Sequence, residues 1–154
     1  MKILLPIDGS EYSNAAIAEV VHRPWPPQSE IRVVSIVELP VLPAMEPWAM
    51  PPDYLENIET AGRELAKKIV ESALVKLQST EDKKLLFTGQ IIHGSAKQAI
   101  VEEAENWGAD LIVMGSRGLG AWDRLLLGSV SSSVLNHAKC SVEIVRKRSE
   151  VAKT

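Results

Sequence analysis

The sequence predicts a single α/β domain: a five-stranded parallel sheet with helices on both faces. Short, continuous apolar runs alternate with segments of helical periodicity, in the order β-α-β-α-β-α-β-α-β. Such alternation is the pattern of a parallel sheet covered on both sides, with right-handed crossovers. The length of 154 residues suits one domain with its own core. The domain is read as residues 1–147, with a short tail at 148–154.

"KILLPI" is the first strand. It resembles a signal peptide only superficially, because the apolar run is too short and Asp8 follows at once. "DGSEYSNAAIAEVVHR" carries Tyr12, Ala15, Ala16, Ile17 and Val20 at helical spacing, and Pro24, Pro26 and Pro27 end it. "IRVVSIV" is a β-branched second strand. Residues 38–52 change character: Pro40, Pro43, Pro47, Pro51 and Pro52 stand among Met45, Trp48 and Met50. This stretch reads as an ordered, irregular excursion offering a partner or lid surface.

The longest helix is "DYLENIETAGRELAKKIVESALVKLQ", with Asp53 and Glu56 in capping-box positions. Leu55, Ile58, Leu65, Ile69 and Leu77 mark its apolar side. "LLFTGQIIH" is the third strand. Ser95 and Gln98 form a second capping-box pattern before "AKQAIVEEAENW", which Gly108 ends. "DLIVM" is the fourth strand, "SVSSSVLNHA" a short helix and "SVEIV" the fifth strand.

Composition narrows the function classes. A net charge of -3 gives no general attraction for nucleic acid. No apolar run approaches the length of a membrane span. The one cysteine, Cys140, excludes an intrachain disulfide and fits a reducing cytoplasm; beside an apolar strand it is expected to be buried rather than reactive. His22, His93 and His137 are far apart and form no zinc motif. His22 and His137 read as helix ends, and His93 as a surface residue near the end of strand three. Trp107 is expected to pack at a helix end, while Trp122 would cover the ligand edge.

Ligands of such sheets lie beyond the carboxyl ends of the strands, where strand order reverses. That rule selects "DGSE" after strand one and "GSRG" after strand four. Gly115 and Gly118 leave backbone amides approachable, and Gly128 precedes Ser129 at the start of a helix. Unpaired first-turn amides and the hydroxyls of Ser129, Ser131 and Ser132 suit a phosphate. A flexible turn with a serine cap remains the plainer reading. No G-x-x-x-x-G-K-[ST], G-x-G-x-x-G or G-x-S-x-G motif is present. Asp8 is either a turn residue or a contact to ligand or magnesium. Arg117 and Arg124 flank the same path, as phosphate partners or as solvated surface residues.

The order of glycines resembles the universal stress protein family, in its ATP-binding branch. Gly115 and Gly118 are separated by two residues, and nine more lead to Gly128-Ser129. "ADLIVMGSRG", "LLLGSVSSSV", "HAKC" and the opening "ILLPIDGSEYSNAA" strengthen the likeness, which covers residues 2–37 and 89–146. The resemblance implies the adenine nucleotide alpha-hydrolase-like fold with strand order 3-2-1-4-5, and commonly a homodimer. It implies ATP as the ligand. Pro6, Ile7 and Asp8 would line the end of strand one, and Ile36 would offer backbone contacts to adenine. Asp8 would approach the ribose or a Mg2+ ion. Met114, Gly115 and Gly118 would run beneath the nucleotide, and Gly128, Ser129, Val130 and Ser131 would receive the phosphates.

Two positions depart from the family. Ser141 stands where proline is common, and Glu143 interrupts a usually apolar strand that often pairs across the dimer. The resulting expectation is a cytoplasmic ATP-binding regulatory protein of the stress response, with at most slow hydrolysis. The alternatives are a nucleotide-independent dimeric interaction module and, further off, a phosphoryl-transfer enzyme.

Overall fold

The computed structural model describes residues 1–38, 51, 53–79, 85–119 and 127–147. Nine elements follow one another: β1 (Lys2–Pro6), α1 (Glu11–His22), β2 (Glu30–Val37), α2 (Tyr54–Gln78), β3 (Leu86–His93), α3 (Ala96–Trp107), β4 (Leu111–Gly115), α4 (Ser129–His137) and β5 (Ser141–Val145). The five strands form one parallel sheet in the order β3-β2-β1-β4-β5. Strand order reverses between β1 and β4, so their carboxyl ends open a crevice.

Alternation along the strands divides the core into two layers. Ile3, Leu5, Val33 and Val113 pack with Ile17 and Val20 of α1 and Val70 and Leu77 of α2. Leu4, Val34, Ile112 and Met114 face the other way, against Ile100 of α3 and Val134 of α4. The central strand β1 is fully covered on both sides: Ile3, Leu4 and Leu5 are each 0% exposed. Burying three such side chains contributes on the order of 5 kcal/mol or more, which makes β1 a fixed base for the loop that follows it.

Local signals explain several boundaries. The Ser10 hydroxyl accepts a hydrogen bond from Ser13 N and caps α1. His22 and His137 close α1 and α4 as expected. Gly108 ends α3 in the left-handed conformation, at φ 71°. Trp107 lies at that same helix end, beneath the cations of Lys2 and Arg32.

Other expectations are corrected. Neither capping box forms: the side chains of Asp53 and Ser95 make no capping bond. Asp53 has ψ 5°, away from the extended backbone that aims a capping oxygen. Leu55 and Leu65 are exposed, because α2 buries its face later, through Ala66, Val70, Ala73 and Leu77. Cys140 is half-buried rather than enclosed, since it precedes the edge strand β5; desolvation still raises its thiol pKa. Of the excursion at 38–52, residues 39–50 and Pro52 lie outside the described residues, as does the tail at 148–154.

Glu143 is turned back onto its own chain. Its carboxylate takes two bonds from Arg23, at 2.7 and 2.6 Å, and Arg23 also reaches Glu19 at 2.8 Å. Glu143 first and Glu19 second push the Arg23 guanidinium further above its ordinary value. The edge strand β5 is thereby tied to the end of α1.

Candidate functional site

Two loops meet at the carboxyl edge of the sheet. After β1, Ile7 N continues the ladder to Val34 O at 2.9 Å. The chain then turns at Gly9, whose φ of 81° suits a residue without a Cβ. Asp8 Oδ1 accepts from Ser10 N at 3.0 Å, while Oδ2 reaches across to accept from Leu119 N at 3.1 Å. One carboxylate therefore joins the loop after β1 to the loop after β4.

Gly115 and Gly118 serve different contacts. A Cβ on Gly115 would stand 2.6 Å from the backbone C and O of Tyr12, so glycine lets α1 approach β4. A Cβ on Gly118 would stand 2.7 Å from Asp8 Oδ2. Arg117 packs its guanidinium over the Tyr12 ring, 5.4 Å from the centroid, and donates to Tyr12 Oη at 3.2 Å.

The entrance to α4 is fixed by backbone bonds. Ser116 N donates to Val145 O, and Gly128 N donates to Ser116 O, both at 2.9 Å. The buried Ser131 hydroxyl donates to Gly115 O at 3.0 Å. Gly128 is the N-cap and supplies no side-chain cap. The amides of Ser129, Val130 and Ser131 open the helix, where intrahelical acceptors are lacking. They form a partial positive charge at the cavity wall.

These groups enclose a cavity of about 570 Å³, within the usual range for small-molecule sites. Pro6, Ile7, Asp8, Ile36, Met114, Gly115, Arg117, Gly118, Gly128, Ser129, Val130 and Ser131 all line it. The positions that the resemblance assigns to a nucleotide thus line one common cavity. Ser132 does not; its N–H donates to Gly128 O inside the helix. His93 lies outside this cavity, exposed and 3.7 Å from Glu59. Trp122, Asp123 and Arg124 fall outside the described residues.

The cavity also has a wall that sequence reasoning missed. Glu38, Ala96 and Ile100 line its β2 side, together with Ile36. Glu38 Oε1 accepts from Ala96 N at 2.6 Å, so a carboxylate from another element holds the first amide of α3. Its position directly after β2 was the available signal, the same one that marked Asp8 after β1. Among the described residues, Ser13, Leu119 and Leu127 also line the cavity. The β2 side is mainly apolar, and the β4 side offers amides and hydroxyls. An apolar ring with an anionic tail matches that division.

Fold and site define a class: a single-domain α/β protein with a cleft at the switch point of a 3-2-1-4-5 sheet. More particularly, the chain belongs to the universal stress protein family, whose model matches residues 1–146. It is 31% identical over 149 residues to universal stress protein MJ0531 of Methanocaldococcus jannaschii, covering 95% of this chain and 82% of that protein. Universal stress protein UspA from Lactobacillus plantarum has a similar solved structure, with TM-score 0.77, 26% identity, and coverage of 95% of this chain and 97% of that one. The same fold occurs in a family protein from Arabidopsis thaliana with AMP bound, at TM-score 0.70, 16% identity and coverage of 97% and 94%. It occurs also in a universal stress protein in complex with cAMP, at TM-score 0.62, 21% identity and coverage of 94% and 96%.

Proposed function

We propose that the chain binds an adenine nucleotide, ATP, in this cavity and acts as a regulatory protein of the stress response. The observation that carries the reading is the meeting of the full glycine series, Gly115, Gly118 and Gly128, with the open N-terminus of α4 in one cleft. The adenine would lie on the β2 side, against Ile36, Ile100 and Met114. The phosphates would lie against the amides of Ser129, Val130 and Ser131, with Arg117 supplying a cation nearby. Family structures holding AMP and cAMP support an adenine nucleotide as the ligand class.

Magnesium fits as a companion of the phosphates. Asp8 supplies a carboxylate on the β4 side, and each of its oxygens keeps a lone pair beyond its backbone bond. A hexacoordinate Mg2+ commonly uses one carboxylate, phosphate oxygens and water. The ion would neutralise phosphate charge, while Asp8 would keep the two loops together.

Occupancy would bias the loops that Asp8 joins, and so a surface read by a second copy of the chain or another protein. The protein would act in the cytoplasm as a homodimer. Hydrolysis, where present, would be slow and secondary to binding.

Calorimetric titration of purified, nucleotide-free protein with ATP and magnesium tests the reading. Saturable binding at sub-millimolar ATP is expected. Absence of binding in that range overturns it and favours the nucleotide-independent interaction module. Phosphate release by the same preparation then separates a sensor from an enzyme.

A further inference from the structure

Two helix N-termini open on the cavity, and the chain treats them differently. At α4 the N-cap is Gly128, which has no side chain to cap the first amides. At α3 the first amide, Ala96 N, already donates to Glu38 Oε1 at 2.6 Å. Glu38 comes from the end of β2, and both partners belong to the cavity wall. The N-cap of α3, Ser95, makes no side-chain capping bond of its own. The α3 amide and helix dipole are thus answered by a carboxylate from another element.

We infer that Glu38 is a specificity-determining residue that sets the direction in which an anionic ligand lies. It holds the α3 amide and places a negative charge at that side of the cleft. A phosphate arriving there meets repulsion and finds the amide engaged. At α4 the cap is glycine, and the carboxylate described on that side, Asp8, is turned to Ser10 N and Leu119 N rather than to the helix amides. Discrimination arises from making the reversed pose unfavourable as much as from attraction in the productive one. The inference rests on the nucleotide reading for the ligand's identity, but not for the role of the charge.

Inorganic tripolyphosphate tests it, titrated into the full chain with backbone amides followed by NMR. In the wild type, Ser129, Val130 and Ser131 should shift, and Ala96 should not. In Glu38→Ala, the Ala96 amide should respond, with apparent affinity there raised about tenfold, the order expected for one helix-terminal charge. Glu38→Gln keeps an acceptor without the charge and should give a smaller response at Ala96. It also guards against loss of folding in the alanine variant. An Ala96 amide silent in both variants, or equally responsive in the wild type, overturns the role of Glu38. Silent Ser129, Val130 and Ser131 amides in all three proteins count instead against the phosphate reading, and Ala96 still decides the role of Glu38.

Discussion

The Asp8 carboxylate binds the Leu119 backbone N–H at 3.1 Å across 111 positions of sequence. Its second oxygen holds Ser10 N, so both oxygens serve the backbone. Asp8→Ala should destabilise the domain by about 1–2 kcal/mol, the scale for lost charge-assisted bonds at a partly exposed site. Urea unfolding measures this. Asp8→Asn should weaken ATP binding in chelator, through the loosened loops, and more strongly in magnesium, where the ion also loses its carboxylate. An equal loss in both would leave Asp8 holding the loops alone.

Gly118 faces that same carboxylate, with a built Cβ only 2.7 Å from Oδ2. Gly118→Val should therefore push Asp8 aside and crowd the cleft. ATP affinity should fall roughly tenfold or more, with a smaller change in stability. An unchanged dissociation constant would reject the placement of Gly118 under the nucleotide.

Gly115 predicts the opposite balance. Its Cβ would meet the Tyr12 backbone rather than a movable side chain. Gly115→Ala should cost about 1–3 kcal/mol of folding stability through overpacking between α1 and β4. Thermal unfolding without ligand is the measurement; a variant as stable as the wild type contradicts the close contact.

The pairing of Glu143 with Arg23 is partly exposed, at 30% and 31% of the side chains. Glu143→Gln should cost on the order of 1 kcal/mol at low salt and less in high salt. Urea unfolding at two ionic strengths checks both magnitude and sign.

Burial raises the Cys140 thiol pKa, so less thiolate is present at neutral pH than in an exposed cysteine. Alkylation should be slower than in urea-unfolded chain and should accelerate as pH rises. For stability the sign follows from the raised folded value. The contribution of the neutral thiol is complete below the unfolded pKa and is lost as pH climbs through the folded one. Equal alkylation rates in folded and unfolded protein would contradict the shielding.

The sheet was legible because its strands are near-continuous apolar runs set off by prolines and glycines. Gly108 marked a helix end through one backbone requirement, and the spacing of Gly115, Gly118 and Gly128 marked one face of the cleft. The β2 face was not legible in the same way. Glu38 meets Ala96 from 58 positions away, whereas capping rules look only three residues along a chain. The pairing of Glu143 with Arg23 spans 120 positions, and local strand pattern carries no trace of it. Leu55 and Leu65 fit helical periodicity, yet the core layer shared with α1 meets α2 only further along. Periodicity locates a helix face but not how much of its length a sheet covers.

Because β1 lies between β2 and β4, the cleft wall draws on residues from Pro6 to Ser131. No short contiguous fragment contains it. During synthesis, the first strand waits for the fourth before either can frame a ligand. The cleft is thus complete only among the last events of assembly, once α4 has followed β4 out. A nucleotide held there would report that the domain is whole.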